Sequence, residues 1–438
     1  MDLPLYSRQE HTDTLMHNSP AQPPLVVVGG GAAGLMAAGQ AALQGINVVL
    51  LEKMSHPGRK LRITGKGRCN LSNVACLPEF IEHFGTTGPF LRQAFHRFFT
   101  PDLLDFFQDQ GLAVVIERGG RIFPASGKAT DVLRVFEKWL QYLRVQVHTD
   151  VAVDRLRIEN GVLKGLTAGG EDIACGALIL ATGGASYPRT GSTGEGYRLA
   201  EQAGHHIVPL RPALVPLITT STLAAPMAGL EIRNTLVRLF IDGRKKAEAF
   251  GELTWMEFGL SGPVILTLSG RIVNALRAGS DVQLLLDLKP ALDEQKLDAR
   301  LLRDLETRRL EPINSVLRGL LPLEMVAVAL KATAIAADRP AGTIRARERK
   351  KIRLWLKNFP VPITGHRPLA EALITAGGVD TTEVNPRTME SRLVQGLFFA
   401  GEVLDIQADT GGYNLQAAFS TGWLAGCSAA NRMIPQQQ

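Results

Sequence analysis

At 438 residues, 45% hydrophobic and 21% charged, the chain has ample length for two or three domains and a sizeable core, and its composition excludes disordered and collagen-like classes. Forty-eight basic against 42 acidic residues leave a net charge of +6, which is compatible with a polyanionic partner without requiring one. No uninterrupted apolar run approaches the roughly 18 residues that span a bilayer, and four cysteines (Cys69, Cys76, Cys175, Cys427) without C-x-x-C spacing suit a reducing, cytoplasmic compartment better than a disulfide scaffold.

The first 24 residues are polar and proline-tipped and lack the apolar core of a signal peptide, so a flexible extension is expected there, with Met16 as an alternative start. From Leu25 the pattern changes. An apolar β-branched run, Leu25 to Val28, meets a glycine turn; an Ala-rich helix former follows from Ala32 to Leu43, and a second strand, Asn47 to Leu51, ends on Glu52. Gly29, Gly31 and Gly34 fit G-x-G-x-x-G, in which one glycine makes the tight turn, one admits a pyrophosphate and one lets helix pack on strand. The helix N-terminus would face the phosphates, Ala33 fills a slot that must stay small, and Glu52, 21 residues after Gly31, is placed for a ribose hydroxyl. Together these predict a dinucleotide site in a βαβ unit.

Residues 53 to 73, KMSHPGRKLRITGKGRCNLSN, read as a long basic, glycine-bearing loop. Arg59, Lys60 and Arg68 are placed to meet phosphates, and Gly65 and Gly67 let backbone run close to a flat ring; a merely solvated loop is the alternative. Phe80 to Gln110 predicts helices whose phenylalanines belong to a core. Short strands follow over 111 to 124, a helix over Lys128 to Tyr142, and a strand pair over Val145 to Ile158, with Val153 a candidate adenine contact. Ala177 to Thr182 is a further buried strand running into Gly183 and Gly184, and a short helix follows within 190 to 205.

From about His206 to Pro360 alternating runs predict a β-rich region with helices over Asp293 to Arg309, Leu323 to Ala336 and Thr343 to Lys357; Ser261 is a plausible cap for a helix after Pro263. After Pro362 the dinucleotide-fold pattern returns, with a strand from Gly396 to Ala400 and a Gly411-Gly412 turn before an amphipathic helix near Asn414. The expected organisation is an α/β protein: a discontinuous Rossmann-like domain (residues 25–205 and 362–438) around an inserted substrate domain (206–361).

The motifs VVVGGGAAGLMAA, GRKLRITGKGRCNLSN, ATGGASYPRTGSTGEGY, FGLSGP and the block from TAGGVD to AAFSTG resemble the BaiN/RdsA (YhiN-like) flavoproteins over about residues 25 to 430. The resemblance implies a tightly bound FAD in a Rossmann-like domain and an inserted β-barrel-like domain carrying helices. Motif by motif it carries FAD binding to Gly29, Gly31, Ala33, Gly34, Glu52, Lys53, Lys60, Arg68, Asn70, Leu71, Thr182, Gly183, Gly401, Glu402, Gly411, Gly412 and Asn414. One departure stands before GLSGP, where Trp255, Met256 and Glu257 replace a phenylalanine-threonine-histidine step frequent in that family. Any role of that histidine is unsupported in this chain.

Family resemblance leaves the substrate open among dihydrouridine-forming reductases of ribosomal RNA, proteins of bile-acid dehydroxylation, and amine-oxidising relatives. Residues 341 to 358 concentrate Arg345, Arg347, Arg349, Lys350, Lys351, Arg353 and Lys357 against Glu348 alone, a density that favours ribosomal RNA as partner, with a solvated basic face as the alternative. The first reading is therefore a reductase in which NAD(P)H, bound transiently because no second nucleotide motif occurs, supplies electrons through FAD to C6 of a uracil while an acid protonates C5. Cys69 and Tyr413 are the candidate acids; His366 is read as structural. The rivals are a small-molecule FAD oxidase or reductase and a non-catalytic flavin-binding RNA factor.

Overall fold

A computed structural model describes residues 23–434, so the expected N-terminal extension lies almost wholly outside the described residues. Five parallel strands form the central sheet, in the order Leu397–Phe399, Ala177–Leu180, Leu25–Val28, Val48–Leu51 and Gln146–His148. Leu25–Val28 is buried along its whole length, in a sheet packed against by the helices Ala32–Leu43 and Tyr413–Met433 and by the strand Val162–Ala168, which is why it reads as an unbroken apolar run. The first strand sits in the middle, with its successors on opposite sides, and a crevice opens at the carboxyl ends of such strands.

The helix Ala32–Leu43 is built of small residues for a packing reason. The C-terminal helix, Tyr413–Met433, lies directly on it, and a Cβ on Gly422 or Gly426 would overlap the carbonyl oxygens of Ala33 and Ala37 respectively. Backbone therefore touches backbone. Thr421 in the same helix accepts from the Gly401 N–H (3.0 Å), which ties the turn after the last sheet strand to this pair.

The inserted region has its own hydrophobic core and a seven-stranded antiparallel sheet. Its terminal strands, Phe359–Pro362 and Gly365–His366, are consecutive in the chain: the first pairs with Val282–Asp287, the second with Leu217–Ile218. One extended segment thus closes the sheet into a barrel, with the helices Glu294–Thr307, Leu323–Thr333 and Ala346–Lys357 packed outside it. The chains entering and leaving the insertion are zipped together, Ile207–Ala213 running antiparallel to Ile374–Val379.

Three expectations need correction. The stretch 53–73 contains a helix, Arg59–Gly67, which begins after left-handed Gly58 and breaks where Gly65 and Lys66 also take left-handed backbone. Val145–Ile158 is not a strand pair: Gln146–His148 joins the parallel sheet, while Val153–Glu159 pairs with Val162–Ala168. The cap of the helix Pro263–Arg277 is Gly262, whose φ of +94° places it beside the Leu253 and Thr254 backbone; Ser261 belongs to a short strand.

Replacing Gly426 with leucine is expected to cost about 3 kcal/mol by overpacking, read as a lower urea midpoint with an unchanged m-value. Wild-type stability in that variant would show that the two helices are not held in backbone contact.

Candidate active site

A single cleft of about 1510 Å³ runs from the glycine turn, past the N-terminus of the C-terminal helix, to the barrel. The three motif glycines serve three separate requirements. Gly29 has φ +103°, and a Cβ there would stand 2.6 Å from the Ala181 carbonyl oxygen. A Cβ on Gly34 would overlap the Gly29 carbonyl oxygen, so this glycine lets the helix sit on the turn. On Gly31, which caps the helix with ordinary extended backbone, a Cβ would meet no protein atom within 4 Å. The space it faces is cleft, where the orphan N–H groups of a helix start suit a pyrophosphate. Glu52 lines the same wall and also holds the turn, its carboxylate accepting from the Gly30 and Met54 N–H groups at 2.7 and 2.8 Å.

Most of the residues expected around a dinucleotide do meet at this cleft. Ala33, Lys53, Lys60, Arg68 and Asn70 line it, as do Val153, Thr182 and Gly183; Gly401, Glu402, Gly411, Gly412 and Asn414 complete the wall. The side-chain oxygens of Asn70 and Thr182 are buried without a hydrogen-bond partner. Buried polar atoms are rarely left so, and two on one glycine-lined wall fit a polar bound group. Asn414 acts on the protein: its Nδ2 donates to the Ala408 carbonyl (3.0 Å) and its Oδ1 accepts from the Ala408 N–H (2.9 Å), fixing the loop before Gly411.

The expected cations are less free than their sequence suggests. Lys60 Nζ donates to Ser186 Oγ (2.8 Å) and pairs with Glu402 (2.7 Å), so two residues assigned to the cofactor satisfy each other. Lys53 pairs with Glu195 at 2.9 Å, and Arg68 pairs with Glu117 while lying 4.2 Å from the Phe123 ring centroid. Leu71 is fully buried and off the cleft wall, its N–H bonded to the Ile122 carbonyl (2.8 Å).

Of the two candidate acids, the structure places only Tyr413 on the cleft. Cys69 is fully buried and does not line it; burial pushes the thiol up to about 12, with the Thr64 hydroxyl opposing. It is a packed thiol with no path to a substrate in this arrangement. Tyr413 opens the C-terminal helix, stacks on His83 with centroids 3.8 Å apart, and meets the Phe80 ring edge-on at 4.7 Å. Burial, then the nearby Asp409 and Glu79 charges, push its phenol up from the ordinary range, so it remains a proton-bearing donor at neutral pH. His366 lies in the barrel-closing segment, its Nδ1 2.9 Å from the Arg367 carbonyl oxygen.

Sequence reading placed short strands over 111–124, where the hairpin Val114–Pro124 lies, but assigned none of its residues to the site. Its tip places Arg118, Gly119 and Arg121 on the cleft wall, and Asn73 Nδ2 donates to both Gly119 and Gly411 carbonyls at 3.0 Å. The signal available was the run RGGR between two short predicted strands.

The glycines provide a paired test. Gly31→Val is expected to fold with a nearly unchanged melting temperature yet purify without flavin, whereas Gly34→Val fails to fold; normal flavin content in Gly31→Val would remove the cradle from Gly31.

Comparison with known proteins agrees with this geometry. The HI0933-like protein Rossmann domain family matches residues 23–428. A 3-dehydro-bile acid delta(4,6)-reductase of Clostridium scindens is 32% identical over 93% of this chain and 98% of its own length. Ribosomal RNA dihydrouridine synthases of Haemophilus influenzae and Escherichia coli are 28% and 31% identical, over 93% and 91% of this chain and 98% and 96% of their own lengths. In fold, a flavocytochrome c3 fumarate reductase in its open conformation superposes with a TM-score of 0.50 at 16% identity, covering 95% of this chain and 79% of that one. Matched from residue 23 to residue 428, this chain belongs to the HI0933-like family of Rossmann-domain proteins.

Proposed function

We propose that the protein is an FAD-dependent oxidoreductase that uses NAD(P)H to saturate a carbon–carbon double bond conjugated to a carbonyl, its substrate being a uridine of large-subunit ribosomal RNA. The observation that carries this reading is the continuity of one cleft: the glycine cradle, Asn70 and Thr182 form one end, and barrel residues such as Phe250, Met256 and Thr267 form the other. A dinucleotide on the first wall leaves the second for another molecule. Among the relatives, two are named for dihydrouridine formation in ribosomal RNA and one for reduction of a bile acid, and both names describe loss of such a double bond.

Bound FAD would supply two-electron hydride chemistry between NAD(P)H and the carbon β to the carbonyl, C6 in a uracil. The chain's own part is to hold, orient and protonate. Gly31 leaves room for the pyrophosphate, Gly29 and Gly34 shape the turn that holds the helix N-terminus there, and Asn70 and Thr182 line the same part of the cleft. Tyr413 is the candidate that delivers a proton to the α carbon, C5 in a uracil. A base in folded RNA must first be unstacked, at a cost of a few kcal/mol.

The basic helix Ala346–Lys357 contributes less than its composition suggests. Arg349 makes a two-pronged pair with Asp298 (3.1 Å each), and Arg353 lies 3.3 Å from Asp298 and 3.5 Å from Glu294, so both are half-buried clamps between helices and not free RNA contacts. Lys357 is paired with Asp287 at 2.6 Å. Arg345, Arg347, Lys350 and Lys351 remain exposed and serve as an outlying anchor for RNA.

A second reading, a small-molecule reductase, is favoured by the apolar barrel side of the cleft, where Leu253, Met256, Val264 and Leu266 line the wall. Nucleoside mass spectrometry of ribosomal RNA from a deletion strain separates the two. Loss of dihydrouridine, restored by the purified flavoprotein with NAD(P)H, is expected; an unchanged nucleoside profile would leave the small-molecule reductase. Tyr413→Phe is expected to lower kcat by about 10²-fold or more with normal flavin content, and a full rate would dismiss the phenol as donor. Neutralising Arg345, Arg347, Lys350 and Lys351 together should weaken RNA binding without lowering the melting temperature, while Arg349→Gln should lower the melting temperature instead.

A further inference from the structure

Three exposed cations without a salt bridge among the described residues stand on one lip of the cleft, and they come from two segments that the fold holds together. Lys66 stands at a left-handed position (φ +57°) between Gly65 and Gly67 and lines the cleft, exposed and without an acidic partner among the described residues. Arg118 and Arg121 stand at the tip of the hairpin Val114–Pro124, both exposed and both lining the cleft. Neither forms a salt bridge among the described residues: Arg121 faces Glu117 across the hairpin, but that carboxylate is taken by Arg68, while Arg121 Nε donates to the Arg118 carbonyl (3.1 Å) and its guanidinium lies 5.7 Å from the Phe123 centroid.

The placement of this hairpin is built. Arg68 joins the two segments by pairing with Glu117 and lying over Phe123, which places Lys66 beside the hairpin. Asn73, 3% exposed, bridges the tip at Gly119 to the Gly411 carbonyl, just before Tyr413. A Cβ on Gly120 would come 2.6 Å from the Asn73 side-chain oxygen, so the tip can lie this close only with glycine there. Across the cleft the barrel presents Phe250, 54% exposed. Unpaired cations on one lip and an accessible aromatic face on the other are the two components that grip a single nucleic acid strand, one for the backbone and one for a base.

We propose that Lys66, Arg118 and Arg121 form a phosphate-binding rim that takes the backbone of a single RNA strand on either side of the base offered to the cleft. This rests on the ribosomal RNA reading above and adds where the strand enters. It assigns the primary contact to the cleft mouth, and the exposed part of the basic helix, which does not line the cleft, to a secondary one.

The test compares the flavin-loaded wild type with a Lys66→Gln/Arg118→Gln/Arg121→Gln variant, titrated with a short oligouridylate over a range of salt. Each phosphate contact on a single strand contributes about 0.7 to the slope of log K against log salt, so the variant's slope should be shallower by about 2, with affinity on the order of tenfold weaker at low salt. Melting temperature and flavin absorbance verify that the variant is folded and loaded. An unchanged slope beside a salt-sensitive wild type would overturn the rim and leave the RNA reading standing. Unchanged oligouridylate binding with weakened NADPH binding would reassign the three cations to the phosphates of the reductant. A wild type that binds no oligouridylate and no ribosomal RNA would remove the RNA reading itself.

Discussion

The structure depends on a backbone-to-backbone contact between its first and last helices. Gly422 and Gly426 let the C-terminal helix reach the carbonyls of Ala33 and Ala37 with no side chain between, a distance that any larger residue would forbid. Because those carbonyls belong to the helix that starts at the glycine turn, the contact sets where the N-terminus of the last helix stands. Gly411, Gly412 and Tyr413 are thereby brought to the cleft that begins at Gly31. The large pocket is thus a consequence of helix packing in which small residues act by what they omit.

A second theme is charge neutralised at home. Lys53, Lys60, Arg68, Arg349, Arg353 and Lys357 all look like free cations in the sequence, and all have a carboxylate partner in the fold. The more exposed of these pairs contribute little to stability in water, yet they decide where positive potential remains. Among the described cations left without a salt bridge are Lys66, Arg118 and Arg121 on the cleft wall and Arg345, Arg347, Lys350 and Lys351 on one helix of the insertion.

The two large cores divide the work. The parallel-sheet part offers the wall built on the glycine turn, and the barrel offers an opposing wall of mixed apolar and acidic character, including Leu253, Met256, Glu231 and Glu252. A contact between Thr267 of the insertion and Thr410 of the C-terminal loop (3.1 Å) spans the two sides. The cleft's chemistry therefore depends on how the insertion is docked, and docking is set by the zipped pair Ile207–Ala213 and Ile374–Val379.

The amino-acid sequence alone determined the βαβ unit, its three glycines and the positions of most helices, because each of these is written in local periodicity and spacing, and family motifs named most of the residues on the glycine-turn side of the cleft. It misplaced what depends on partners far along the chain. Cys69 sits in a polar, basic motif yet is packed out of reach, and Arg349 and Arg353 belong to a basic run yet face Asp298 from a separate helix. Likewise the segment 359–366 gives no local sign that it closes a barrel by pairing with two strands at once. Burial and pairing are properties of the distance between elements, and only the tertiary structure sets that distance.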